Sequence, residues 1–261
     1  MAKEAERYID VVLRSMDILE LFLKVEKAQL KDIYAATGIQ KNRIMRICGT
    51  LCSHGFLIFN ESDLTYSLGP MVSFLGQQFD STYSYLKTIQ LELDKLAQIT
   101  GETCHFCARK NTDRICLAIA DGTSAIRFAI SPGARSPLNA SASGKVLLAF
   151  LPDIEKNKIL ESLPFKARTN YTVTNRLILE EQLKTIQQQG YAYSFRENYP
   201  NGAGLAAPVI NQDGEVLGSL NIGTIAEIFD NGKYKKYIPP LLESSKHLSK
   251  ILAGLKPSQL V

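Results

Sequence analysis

The 261-residue chain is predicted to be an α+β protein with an N-terminal winged helix-turn-helix, a connector helix and a C-terminal α/β domain. Three observations predict this. Two apolar stripes at helical spacing meet at Gly38 and are followed by a strand-turn-strand pattern. A mostly apolar helical face then runs past residue 72 to a stop at Gly101. Beyond it, short strand signals alternate with helix signals to the end of the chain.

In the front part, Val12 to Leu19 reads as an opening helix, and Leu30, Ile33, Tyr34 and Ala35 as the inner face of a second one. Gly38 readily terminates that helix. Ile44, Ile47, Cys48, Leu51 and Cys52 form the stripe of a third, at i, i+3, i+4, i+7 and i+8. Its polar face begins with Lys41, Asn42, Arg43 and Arg46, which places donors at the end of a helix that enters a DNA major groove. No acidic residue lies between Lys41 and Asn60. Residues 55–59 and 64–68, joined by the turn Asn60-Glu61-Ser62-Asp63, make a hairpin that serves as the wing. Arg14 adds a cation on the opening helix. These residues are read as a DNA-docking unit over 9–71.

Pro70 suits a helix start, where its missing N–H costs nothing. Val72, Leu75 and Phe79, then Tyr85, Leu86, Ile89, Leu93, Leu96 and Ala97, carry an apolar face through a connector assigned to residues 72–100 and beginning its second helix near Tyr83. Two readings of that face stay open: a contact with a second copy of the chain, or packing on the back domain. In the back domain, residues 101–257, strands are predicted at Thr103–Ala108, Arg114–Ala120, Arg127–Ile130, Tyr191–Phe195, Gly204–Ile210 and Glu215–Ile222. Helices are predicted at Ser143–Phe150, Glu155–Ser162, Leu177–Gln189 and Tyr234–Leu255, the last either entered through Pro239-Pro240 or starting just after it.

Charge and composition set bounds on function. Residues 1–70 hold nine Lys/Arg and nine Asp/Glu, so DNA affinity must come from clustering on one face rather than bulk charge. No run is long enough to span a bilayer, the start Met1–Arg7 is not a signal peptide, and five cysteines in a chain of this size fit a reducing cytoplasm. No catalytic constellation is evident. None of the three histidines, at 54, 105 and 247, makes a plausible pair in sequence with a Ser or Cys nucleophile; His105 lies within Cys104-His105-Phe106-Cys107 and is weighed as a metal ligand. Alternation on a strand puts His105 and Cys107 on one face and Cys104 on the other, with Cys116 and His247 as the only remote ligand candidates. The stretch therefore reads as buried strand cysteines with no metal. Ser143-Gly144-Lys145 resembles the end of a phosphate loop, but Asn139 stands where its first Gly belongs and Val146 where Ser or Thr would hold a metal. No cofactor is expected.

Three blocks carry a family resemblance: the N-terminal helices closing on Tyr66-Ser67-Leu68-Gly69, the run Gly133 to Lys145, and Glu197 to Val209 ending in Leu205-Ala206-Ala207-Pro208-Val209. In this order they resemble the IclR family of bacterial transcriptional regulators over residues 10–252. The resemblance implies a GAF-like effector-binding domain, a double-stranded DNA operator, a small-molecule effector, often a carboxylate, and a homo-oligomer, either a dimer or a dimer of dimers. Carried over by motif, the effector-binding positions are Ala142, Ser143, Ser194, Gly204, Asn221 and Gly223. Ser194 stands where Asp is common, Asn139 where His is usual, and Asn221 and Gly223 where serines occur, which suggests a roomier and more neutral pocket. Ser143 is expected to border an open cavity, so that Ser143→Glu would leave stability almost unchanged. The competing reading is a DNA-binding and oligomerisation protein whose back domain is blind to ligands; an enzyme is a distant third.

Overall fold

The computed structural model describes residues 8–82, 85–230 and 232–260. Met1–Arg7 and Tyr83, for which expectations are given above, lie outside the described residues. The chain divides into two compact units between Ser84 and Tyr85.

In the front unit, α1 (Asp10–Leu21), α2 (Leu30–Thr37) and α3 (Lys41–Ser53) pack around Ile18, Ile33, Ile44, Ile47 and Cys48. Gly38 ends α2 in the left-handed conformation at φ 66°, where glycine alone avoids a Cβ penalty, and its N–H closes on the Tyr34 carbonyl. Strands β2 (Leu57–Asn60) and β3 (Thr65–Leu68) form the predicted hairpin. A third strand, β1 (Ala28–Gln29), pairs with β3 and is missing from the sequence reading, because two residues carry no periodicity. Gln29 also begins the capping box of α2 with Asp32, so one dipeptide ties the wing to the helix pair. Helix α4 (Pro70–Thr82) starts at the proline, as expected, and leaves Phe74, Leu75 and Phe79 exposed.

The back unit is built on a six-stranded antiparallel sheet of β4 (Thr103–Lys110), β5 (Asp113–Ala120), β6 (Arg135–Pro137), β7 (Ala192–Phe195), β8 (Gly202–Ile210) and β9 (Val216–Ile225), in spatial order β6-β5-β4-β9-β8-β7. One face is covered by α5 (Tyr85–Thr100) and α10 (Ile238–Ile251), whose Ile89, Leu93, Leu96, Leu241 and Leu248 pack on Phe106, Leu205, Ala207 and Leu220. The second connector helix is thus a core element of the back unit, and packing there takes up its apolar face. On the other face, α6 (Ala142–Ala149), α7 (Asp153–Ser162) and α8 (Arg176–Gln189) bury Val146, Leu147, Leu179 and Leu183 against Ala192, Ala206 and Val216.

Two expectations are corrected. Residues 127–130 are not a strand; they lie in an irregular segment between β5 and β6. The place beside β5 is taken by the residues that follow, with Gly133 N–H bonded to the Cys116 carbonyl, Cys116 N–H to the Ala134 carbonyl, and β6 continuing the ladder. The last helix begins at Ile238, not Tyr234, because Pro239 and Pro240 fit only its first turn, and a 3-10 turn over Lys233–Tyr237 precedes it.

Candidate functional site

The front unit presents α3 with Ile44, Ile47 and Leu51 inward, which turns Asn42, Arg46 and Gly49 directly outward and leaves Arg43 on the flank. Lys41, Asn42, Arg43 and Arg46 are all exposed. Arg43 is paired with Asp10 of α1, and Arg14 reaches the same carboxylate at 3.3 Å and Asp17 at 3.5 Å. These neighbours hold the Asp10 carboxyl below the ordinary range, with the Arg43 hydrogen bond as the largest cause. Lys41 lies 5.8 Å from the centre of the Tyr34 ring. Arg46 lines a groove between α1 and α3 together with Val11, Ser15 and Thr50.

In the back unit, sheet register and α6 build a second feature. Ser194, Gly204 and Gly223 are cross-strand partners, and Asn221 pairs with Ala206 on one side and His105 on the other. Alternation puts all four on the face opposite the Leu205, Leu220 and Ile222 core. Ser141 caps α6 by accepting from Gly144 N–H, and the helix starts over that face with Ala142 and Ser143. All six positions carried over by motif, Ala142, Ser143, Ser194, Gly204, Asn221 and Gly223, therefore line one pocket.

That pocket is neither roomy nor neutral, which corrects the expectation drawn from its glycines. The ring of Phe128 lies against Gly223 so closely that a Cβ there would sit 2.5 Å from the ring edge, and it also covers Gly202. It stacks near His105, with centroids 6.2 Å apart, and meets Tyr199 edge-on at 5.5 Å. The space the glycines leave is filled by this side chain, and a cavity of only about 40 Å³ remains. The alternation read over Arg127–Ile130 places Phe128 in a strand, whereas it sits in an irregular segment that folds over the pocket. The charge was missed for a different reason: Arg114 enters the sequence reading only as the first residue of a strand, yet it is 3% exposed and reaches the pocket.

The Arg114 Nη1 donates to Cys107 Sγ at 3.3 Å, while its Nε has no partner among the described residues. Burial alone would push the Cys107 thiol up, but the hydrogen bond from Cys116 and the charge of Arg114 outweigh it and lower the thiol below its ordinary value. Cys116, which faces Cys107 across a bulge in the β4–β5 ladder, is correspondingly raised. Burial and the same guanidinium push His105 down to about 3, so its ring is neutral. Cys104 lies with Phe106 in the opposite core, and no group of His, Cys, Asp and Glu among the described residues is placed to hold a metal.

Ser143 also differs from expectation. It is 3% exposed and its hydroxyl is 2.7 Å from that of Ser219. The position is packed, so Ser143→Glu should destabilise the back unit by about 1–3 kcal/mol through overpacking. Urea unfolding of the variant against the parent checks this, and an unchanged midpoint would restore the open-cavity reading.

A winged helix-turn-helix joined in one chain to an α/β domain that encloses a polar pocket defines a DNA-binding regulator with a sensing domain. Residues 82–250 match the family model for the bacterial transcriptional regulator IclR C-terminal domain. The chain is 27% identical to the HTH-type transcriptional regulator XynR of Escherichia coli K12, covering 94% of this chain and 97% of that one. It is 24% identical to KdgR of the same organism, covering 92% of each. Among solved structures, an IclR transcriptional regulator from Alicyclobacillus acidocaldarius superposes with a TM-score of 0.82 at 25% identity over 95% of this chain and all of that one. The Thermotoga maritima IclR shares the fold, with a TM-score of 0.75 at 22% identity over 94% and 100%. The chain belongs to the IclR family of transcriptional regulators: it carries an HTH-type DNA-binding unit and an IclR effector domain. No helix among the described residues is long and apolar enough to cross a membrane.

Proposed function

We propose that this regulator works as a cytoplasmic homo-oligomer, a dimer or dimer of dimers, which binds a two-half-site operator through Arg14, Lys41, Asn42, Arg43 and Arg46 and releases or recruits it in response to a small carboxylate. The observation that carries the effector half is the single pocket formed by the start of α6, the polar face of β7–β9 and a buried guanidinium. A helix start and a cation favour an anion. The relatives of the chain are transcriptional regulators, which supports assigning the pocket to sensing. One recognition helix per chain reads few base pairs, which is the reason for pairing half-sites about one helical turn apart. The exposed Phe74, Leu75 and Phe79 of α4 supply apolar surface for that pairing.

Thermal-shift measurements against small carboxylates, followed by operator titration with and without any that bind, test this reading. A compound that raises the melting temperature and changes operator affinity supports it. The ligand-blind alternative, which the near-filled pocket favours, predicts no compound that does both.

Within the DNA-binding unit, Arg46 points away from the core, one helical turn beyond Asn42. Arg46→Ala is expected to weaken operator binding by about 1–3 kcal/mol if it reads a base edge. Fluorescence anisotropy at fixed salt measures this, and an unchanged affinity would remove Arg46 from the interface.

A further inference from the structure

The geometry points to Arg114 and Asn221 as the pair that selects the effector, and to a hydroxylated monocarboxylate as the class they select; this rests on the pocket being the effector site. Arg114 is 3% exposed, lines the pocket and is paired with no carboxylate among the described residues. Its one side-chain partner there is the Cys107 sulfur at 3.3 Å, and its Nε is unpartnered. A buried guanidinium held only by a thiol lacks the bidentate oxygen acceptor that its planar fork matches best, and a ligand carboxylate supplies one. Within the chain, the Cys107 sulfur is the group set against this guanidinium.

Asn221 asks for the opposite chemistry. Its Nδ2 is committed to the carbonyls of His105 at 3.0 Å and Ser219 at 2.7 Å, both obligate acceptors. The amide is thereby fixed in one orientation, with Oδ1 left buried and unpartnered among the described residues. A second pocket residue, Asn198, also has an unpartnered Oδ1. An ionised carboxylate cannot donate to these oxygens, whereas a hydroxyl can. One ligand that satisfies both ends carries a carboxylate for Arg114 and at least one hydroxyl for Asn221. Arg114 disfavours a ligand with an ammonium group as the donor, because that would set two cations in one buried site.

The test is a matched series from three to six carbons: the hydroxylated acids glycerate, threonate, ribonate and gluconate, the neutral amide of each, and the unhydroxylated acid of the same length. Binding to the full-length protein is read by thermal shift and isothermal titration. At least one hydroxylated acid should bind, with its amide and its unhydroxylated counterpart each at least 100-fold weaker. Arg114→Gln should remove the preference for acid over amide, and Arg114→Lys should restore part of it. Because the ligand series alone decides the matter in the parent protein, a variant that fails to fold does not spare the proposal. The inference is overturned if none of the hydroxylated acids binds, or if an amide or unhydroxylated acid binds within tenfold of its partner. If such a compound also changes operator affinity, the effector reading survives while this assignment falls. If no small carboxylate of any kind binds or alters operator affinity, both fall.

Discussion

Replacing Lys145 with Met is expected to destabilise the back unit by about 3–5 kcal/mol, although methionine suits a helix and nearly matches lysine in length. Lys145 Nζ lies 2.5 Å from Glu197 Oε1, and the two side chains are 3% and 10% exposed. Burial raises the Glu197 carboxyl above its ordinary value and lowers the Lys145 ammonium below its own, while their mutual attraction opposes both shifts. Each buried group has the other as its counter-charge, and deleting one partner strands the other. The main chain that carries the carboxylate is itself held, since Thr172 Oγ1 donates to the Glu197 carbonyl at 2.6 Å and Thr169 Oγ1 to the Arg196 carbonyl at 2.6 Å. Chemical unfolding followed by circular dichroism gives the loss. The double variant Lys145→Met with Glu197→Met should recover most of it, since two apolar side chains leave no uncompensated charge. A single variant as stable as the parent would show that the pair contributes nothing.

Gly144→Ala is the second large effect, expected to cost about 3 kcal/mol or more. A Cβ at this position would stand 2.3 Å from the Leu138 carbonyl oxygen and 2.6 Å from its Cα. These are backbone atoms, so the clash is relieved only by moving α6 off the segment that leads into it. Ser141, which caps the helix through Gly144 N–H at 3.2 Å, would move as well. The residue is needed for proximity, not for an unusual φ. The expected outcome is a lower melting temperature together with loss of any ligand-induced shift, because the start of α6 forms one wall of the pocket. Unchanged melting would mean that this close approach relaxes at little cost.

The architecture was largely legible because its long elements repeat faithfully. Ile44, Ile47, Cys48 and Leu51 announced α3, and Leu179, Leu183 and Ile186 fell within the predicted helix before Gly190, which ends α8 at φ 79°. Short and irregular parts were not legible. Strands β1 and β6 have two and three residues, too few to show a period. Residues 127–130 alternated like a strand but have no partner in the sheet. The pocket positions came from motif resemblance, and sheet register explains why they converge: β7, β8 and β9 place Ser194, Gly204 and Gly223 side by side. Arg114 and Phe128 escaped because their roles depend on long-range placement. A strand arginine is usually solvated, and nothing local says that β6 and α6 will bury this one.

Phe128 has a further consequence for how sensitively the protein responds. Its ring lies on Gly202 and Gly223, in the volume a ligand would need, and it is held by contacts with His105 and Tyr199 rather than by backbone pairing. An effector bound at the proposed site would therefore compete with a side chain that is always present at one copy per pocket. Apparent affinity equals intrinsic affinity scaled down by the fraction of molecules in which the ring has swung out. On the proposed reading, the aromatic side chain would act as a built-in antagonist, setting the metabolite concentration needed for switching without touching the groups proposed to decide which metabolite it is. Selectivity and threshold would then be carried by different residues, and substitutions at position 128 would retune one while leaving the other alone.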